Sequence, residues 1–308
     1  MKVLIMGAGA LGSYFGGRLQ AGGHDVTFVA RGAHLDAMRR SGLRIESGAG
    51  DLTLAKVNAV ADPSEADEPD VVFFLVKNYD VEDAARALLP RLGDGTTVVT
   101  GQNGVTAPDR LGAIIGEDRV LPGVVLMPAD IREPGVVRHP TDFHELIVGD
   151  PSGGEPPRVQ AVVEAINGAG MTGTIADDIQ EKLWEKFVMM SAMSALSALT
   201  RLDIGPIREN PATRALLVSA IDEAGAVGRA MVPTFSNEAI GAARSFLLER
   251  MQPNVHASML DDLNRGKRIE LEYMSGDVVR LGAQAGIETP THAFVAAALA
   301  PYLNGAPG

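Results

Sequence analysis

Ten residues near the start of the chain, "VLIMGAGALG" (3–12), constrain the fold more than any other stretch. An apolar run of the kind that forms a short buried strand passes directly into Gly7, Gly9 and Gly12, and from there into a helical pattern over 10–21. The glycines stand in G-x-G-x-x-G spacing, and each has a separate physical reason. Gly7 permits a tight turn, Gly9 lets a pyrophosphate approach the backbone, and Gly12 lets helix and strand pack closely while the helix N-terminus faces the phosphates. The spacing alone is also met in merely tight turns, but between a strand and a helix it reads as a dinucleotide site. Gly7, Ala8, Gly9, Ala10, Leu11 and Gly12 are therefore the candidate cofactor cradle.

The rest of the N-terminal half continues the pattern. "DVTFVA" (25–30) alternates and is rich in β-branched and aromatic residues, whereas "VVFFLV" (71–76) and "TTVVT" (96–100) are continuous apolar runs separated by the helical "DVEDAARALLPRL". Continuous strands with helices between them indicate a parallel sheet covered on both faces, hence an α/β class with an N-terminal Rossmann doubly wound domain. After "VLPGVVLMPAD" (120–130) come turn-rich pieces, "GVVRHP" and "HELIVGD" among them, expected to pair antiparallel. From Asp177 onward the periodicity is almost only helical, over 178–200, 211–231, 236–251, 256–284 and 290–303. The expected domains are 1–176, binding the nucleotide, and 177–308, all-helical.

Composition narrows the partners. With 27 basic and 39 acidic residues the net charge is −12, which argues against nucleic-acid or anionic-membrane surfaces, so an anionic ligand must be caught by a few placed cations. Zero cysteines exclude disulfides, thiolate metal sites and a cysteine nucleophile. The six histidines, His24, His34, His139, His144, His256 and His292, show no metal-ligand spacing, and no metal is expected. No apolar segment is long enough to span a bilayer, and the apolar start is broken by glycines before it could serve as a secretion signal. A cytoplasmic enzyme acting on a small molecule is expected. The helical half offers surface for a homodimer, though no heptad seam establishes one.

The residue ending the second strand discriminates between nicotinamide cofactors, because an acid there would bond the ribose 2′-hydroxyl and repel a 2′-phosphate. The strand ends "FVARGAH", and Arg31 can pair with a phosphate and stack on adenine. NADPH is predicted, a solvated surface arginine being the alternative.

Five separated segments, "GAGALGSYFGGRLQAGGHDVTFVARG", "LVKNYD", "GQNGV", "EKLWEKF" and "SMLDDLNRGKRIELEYMSGDVVR", resemble in order and spacing the ketopantoate reductase (2-dehydropantoate 2-reductase) family over nearly the whole chain. The resemblance implies NADPH-dependent reduction of a 2-oxo acid to a D-2-hydroxy acid, most like 2-dehydropantoate to pantoate in pantothenate synthesis. It also implies a helical domain closing over the cofactor. By it Lys186 is the proton donor, Asn103 lies beside nicotinamide and substrate, Lys77 is on the cofactor side, and Glu270 touches the nicotinamide ribose. Ser258 holds the substrate carboxylate, and Asn254, one place from an expected asparagine, is a further substrate contact. The chain departs from the pattern at Met190, Ser194 and Ile204, where asparagines are expected; this weakens the substrate assignment but leaves fold and cofactor intact.

Read without the family, 181–200 ("EKLWEKFVMMSAMSALSALT") carries no charge after Lys186 and is apolar nearly all round, which marks a buried helix. An unpaired buried ammonium costs several kcal/mol, so Lys186 either meets an anion or snorkels to the surface, as Lys182 is expected to do. Hydride arriving at a carbonyl carbon leaves negative charge on oxygen, which an ammonium can stabilise and then protonate. Met190, Met193, Ser194 and Ser197 share the face of Lys186 and are either pocket lining or core filling. Arg201 is either a carboxylate clamp or an ordinary helix-end arginine, and Glu270 either a site residue or a surface partner of Lys267. Three readings stay open: a ketopantoate reductase, a reductase of a less hydroxylated 2-oxo acid, and a non-catalytic NADPH-binding protein.

Overall fold

Lys2 is the only exposed residue of β1 (Lys2–Met6) in the computed structural model, which describes residues 1–307. The chain then runs through α1 (Ala10–Ala21), β2 (Asp25–Val29), α2 (Gly32–Ser41), β3 (Leu43–Ser47), β4 (Leu52–Leu54) and β5 (Asn58–Val60). It continues through β6 (Val71–Phe74), α3 (Val81–Leu88), β7 (Thr97–Thr100), α4 (Ala107–Ile115) and β8 (Val120–Leu121). Six of these strands form one parallel sheet in the order β5-β2-β1-β6-β7-β8. Val3 and Ile5 of β1 enter one core with Phe15, Leu19, Phe28 and Phe73, while Leu4 and Met6 enter another with Phe74, Leu88, Val98 and Leu111. A strand that buries both faces must be apolar at every position, which accounts for the continuous runs. The strand order reverses between β1 and β6, so the carboxyl ends of those two strands border the crevice in which doubly wound sheets bind ligands.

The segment beyond β8 adds β9 (Gly123–Leu126), β10 (Asp130–Glu133), β11 (Val136–His139), β12 (Glu145–Val148), α5 (Pro157–Gly168) and β13 (Thr172–Ile175). These pieces are mixed, where antiparallel pairing was expected. β11 runs antiparallel to β10 but parallel to β3, and β12 antiparallel to β9 but parallel to β13. Helix α5 supplies the crossover that a parallel β12–β13 pair needs, and alternation in a sequence reveals a strand without revealing its direction.

The chain clusters into two units, Met1–Gln102 with Ala107–Ile179, and Asn103–Thr106 with the residues from Gln180 onward. The second contains almost the whole of α6 (Ile179–Thr200), then α7 (Ile204–Glu209), α8 (Pro211–Met231), α9 (Asn237–Ser245), α10 (Ser258–Asn264), α11 (Ser275–Ala285) and α12 (Pro290–Leu299). Phe187, Val188, Ala192, Ala195, Leu196 and Ala198 of α6 are all at most 1% exposed, as an all-round apolar helix requires. The single helix expected over 256–284 is instead two. Helix α10 stops at Asn264 because Gly266 takes φ +64° and Lys267 N–H bonds back to the Asp262 carbonyl, a helix-ending turn that leaves 265–274 outside regular α-helix. No helix among the described residues is long and apolar enough to cross a membrane.

Candidate active site

The glycine loop leaves the end of β1 beside β6. Gly7 has φ +97°, and a Cβ there would stand 2.8 Å from Val76 N; one on Gly12 would stand 2.3 Å from the Gly7 carbonyl oxygen. Both glycines are thus demanded by the unit's own packing. At Gly9 a Cβ would meet nothing within 4 Å, so nothing in the protein itself requires that glycine. Gly9 is exposed and forms the N-cap of α1 with no side-chain cap, leaving the first helical N–H groups to face this open space. A cradle of unpaired N–H donors at a helix N-terminus, kept clear of side chains, fits a pyrophosphate.

Leu75 N–H donates to the Met6 carbonyl at 2.8 Å, which lays the segment after β6 along the loop and brings in half-buried Lys77 two residues on. Gln102, at the end of β7, donates from Nε2 to the carbonyls of Phe74 (2.7 Å) and Val76 (3.2 Å) and ties the strand ends together. Arg31 follows β2 in extended conformation with its side chain 73% exposed, Nη1 lying 3.6 Å from Asp80 Oδ2. So long and exposed a pair contributes under about 1 kcal/mol and yields readily to a phosphate.

Sequence reasoning missed the device that holds the loop's other side. Gly135 N–H donates to His34 Nδ1 (3.1 Å), which leaves the ring proton on Nε2 to donate to Ser13 Oγ (3.0 Å), and Ser13 donates to the Ala8 carbonyl (3.2 Å). Burial holds His34 below the usual histidine pKa, in keeping with a neutral ring. The partners lie too far apart in the sequence for any local signal.

In the helical unit Lys186 sits two turns into α6. Burial lowers its pKa to about 8, and the Glu270 carboxylate opposes that fall. Glu270 is only 8% exposed, on the segment that enters a short 3₁₀ turn (Leu271–Tyr273), while Lys267 is exposed. Glu270 thus turns away from the exposed Lys267, and its carboxylate acts on half-buried Lys186. Asn103, half-buried, opens the short loop that clusters with this unit. The next residue, Gly104, has φ +98°, and a Cβ there would stand 3.1 Å from the Tyr273 carbonyl oxygen, so the loop lies against the turn that follows Glu270.

Met190 is half-buried, and Met193, Ser194 and Ser197 are buried; Ser197 Oγ donates to the Met193 carbonyl at 2.7 Å. Asn254 and Ser258 are exposed where the chain enters α10. Lys182, expected to snorkel, is paired with Glu185 at 2.9 Å. Arg201 terminates α6 in the left-handed region (φ 60°), donates to Asn264 Oδ1 at 2.9 Å and covers the Tyr302 ring, the behaviour of a helix-end arginine.

A cradle of this kind commits the first unit to the Rossmann class of dinucleotide proteins, and a protonatable amine set against a buried carboxylate is equipment for an oxidoreductase. The chain belongs to the ketopantoate reductase family. Residues 3–153 match the model for ketopantoate reductase PanE/ApbA, and residues 178–302 match that for its C-terminal part. The 2-dehydropantoate 2-reductase of Mesorhizobium japonicum is 34% identical over 312 residues, covering 94% of each chain. That of Archaeoglobus fulgidus is also 34% identical, over 93% of this chain and 92% of its own. The crystal structure of a PanE/ApbA family ketopantoate reductase from Ralstonia eutropha superposes with a TM-score of 0.89 at 34% identity, over 98% of each chain.

Proposed function

We propose that this protein reduces a 2-oxo acid to a D-2-hydroxy acid, with 2-dehydropantoate as substrate and pantoate as product, at the step its relatives' names describe. The observation that carries the reading is the half-buried Lys186 ammonium, placed two turns into an apolar helix and within the influence of the Glu270 carboxylate. NADPH, when bound, supplies the hydride. The ammonium of Lys186 donates a hydrogen bond to the C2 carbonyl oxygen, stabilises the charge that gathers there as the carbon is reduced, and gives up its proton to form the hydroxyl. A pKa of about 8, nearer the working pH than that of an ordinary lysine, makes this amine both protonated at rest and willing to donate. The resulting amine regains a proton from solvent, and Glu270 favours that return.

Asn103 offers an amide to orient the reacting group, while Ser258 and Asn254 supply polar contacts for the carboxylate. Gly7 through Gly12 and Lys77 hold the cofactor phosphates. Arg31 selects the 2′-phosphate, which makes NADPH the preferred cofactor. The test is the rate of NADPH oxidation with 2-dehydropantoate; Lys186→Ala should lower it by about 100- to 10,000-fold. Wild-type turnover in that variant rejects the reading.

A second reading is favoured by Met190 and Ser194, which present a thioether and one hydroxyl on the face of Lys186. A thioether adapts to an apolar acyl group and forms no strong hydrogen bond with a substrate hydroxyl. A panel of branched and aromatic 2-oxo acids assayed beside 2-dehydropantoate decides between them.

A further inference from the structure

Asp277 is a buried carboxylate, 4% exposed, that the chemistry above does not use. It lies in the first turn of α11, just beyond the turn that carries Glu270. Both its oxygens are engaged. Oδ1 accepts from Arg280 Nη2 (2.7 Å) and Nε (3.2 Å), and Oδ2 accepts from the Thr106 hydroxyl (2.8 Å). The arginine is its neighbour one turn along the same helix. The threonine closes the loop that begins at Asn103, with Gly104 packed at the Tyr273 carbonyl on the way.

The Arg280 side chain is 49% exposed, so its ion pair with Asp277 adds little stability of its own, and what it contributes is orientation. Arg280 fixes the carboxylate in one orientation through two donors, and the remaining oxygen can then capture a hydroxyl at one place only. The same helix start that holds Thr106 is continuous with Glu270: Tyr273 N–H bonds the Glu270 carbonyl, and Val278 N–H bonds the Met274 carbonyl. A short loop and a short turn, neither regular enough to hold its own shape, are thereby fastened at both ends of their contact.

Resting on the reductase reading, we propose that Asp277 is a positioning residue, which through Thr106 fixes the Asn103–Thr106 loop against the Glu270 turn and so sets the Asn103 amide relative to the Lys186–Glu270 pair. It touches no reacting atom. Misplacement of an orienting group by a fraction of an ångström to one ångström lowers turnover without abolishing it.

The experiment compares wild type with Thr106→Val, which removes only the hydroxyl, with Thr106→Ser, which restores it, and with Asp277→Asn, which weakens the Arg280 grip. The first readout needs neither cofactor nor substrate: amide hydrogen exchange in peptides covering 101–106 and 270–274, against α8 as an internal reference. Exchange in both segments should accelerate by about tenfold in Thr106→Val and Asp277→Asn, return close to wild type in Thr106→Ser, and stay unchanged in α8. The second is kcat with NADPH and 2-dehydropantoate, expected to fall by about tenfold in Thr106→Val with the thermal midpoint nearly unmoved, and to recover in Thr106→Ser. Unchanged exchange overturns the proposal, as does faster exchange with unchanged kcat, or a loss of kcat that merely follows a loss of thermal stability. If Lys186→Ala keeps wild-type turnover, the reductase reading fails by itself, while the exchange result still decides whether Asp277 holds the loop.

Discussion

Replacing Glu270 by glutamine preserves shape and hydrogen-bonding capacity but removes the charge that opposes the desolvation of Lys186. In the wild type the ammonium titrates at about 8, so roughly nine-tenths of the enzyme carries the proton at about pH 7 and half of it at about pH 8. With the protonated amine as the proposed donor, kcat/KM should be flat below that value and fall by about tenfold per pH unit above it. A nearby opposite charge moves a group's titration by about one to three pH units. Taking the lower end, the alkaline limb of Glu270→Gln should move down by about one pH unit, leaving about half the donor protonated at about pH 7 and about a tenth at about pH 8. The variant should therefore approach wild-type rates at about pH 6 and be about fivefold slower at about pH 8, apart from any change in cofactor binding. Initial rates of NADPH oxidation at saturating cofactor, taken between about pH 6 and about pH 10, measure this directly. An unmoved limb in Glu270→Gln, or a wild-type limb at the ordinary lysine value of about 10.4, would refute the coupling on which the donor role is built.

Gly9→Ala should leave thermal stability unchanged, because a Cβ there meets nothing, yet raise KM for NADPH by at least about tenfold by filling the space a phosphate would take; Gly12→Ala should instead lower the melting temperature, its Cβ falling 2.3 Å from the Gly7 carbonyl oxygen. Arg31→Ala should reduce the kcat/KM preference for NADPH over NADH by about tenfold, and a variant that keeps its preference removes Arg31 from phosphate recognition. His292, buried with Nε2 donating to the Ala220 carbonyl and Nδ1 accepting from Ser275, has its pKa lowered first by burial. Since the folded value lies below the unfolded 6.5, the stability it confers is complete above that pH and is lost as the pH falls towards the folded value. Thermal melts between about pH 7 and about pH 5 should show this loss, and His292→Gln, which can keep the bond to Ala220, should flatten it.

The parts of the fold that were legible are those in which one physical demand fixes residue type at each position. The glycine cradle is such a case, since the packing at Gly7 and Gly12 excludes a side chain, and so is the central sheet, whose strands bury both faces. β3 and β4 were not legible. "LRIES" and "LTL" are short and only partly buried, and β3 finds its parallel partner β11 about ninety residues later, a pairing no local pattern announces. The stretch 256–284 misled for the opposite reason. Its charged residues keep helical spacing across "DDLNRGKRIELE", but Gly266 in the left-handed region and the bond from Lys267 back to Asp262 end α10 there.

That break is what makes the site. A continuous helix through 264–275 would have kept Glu270 on a regular helical face, with its partner drawn from three or four residues away, which is why Lys267 looked like a candidate. Once the helix ends, the chain is free to turn the carboxylate inward, where it is 8% exposed and acts on Lys186. The sequence of α6 poses the question of where an ammonium in an apolar helix finds its anion, but cannot answer it, because the anion comes from a segment whose irregularity is its function. The same irregular turn receives Gly104 and leads into the Asp277 clip, so Glu270 and the Asn103 loop share a single support. Irregular backbone is expensive unless its polar groups are paired, and here they are: Glu270 and Leu271 carbonyls accept from Tyr273 and Met274, and Ile269 N–H reaches the Leu303 carbonyl. Local pattern recognises elements that satisfy their own hydrogen bonds. The candidate site joins one such element, α6, to an irregular turn that is held partly by its own short-range bonds and partly by the distant Leu303 carbonyl.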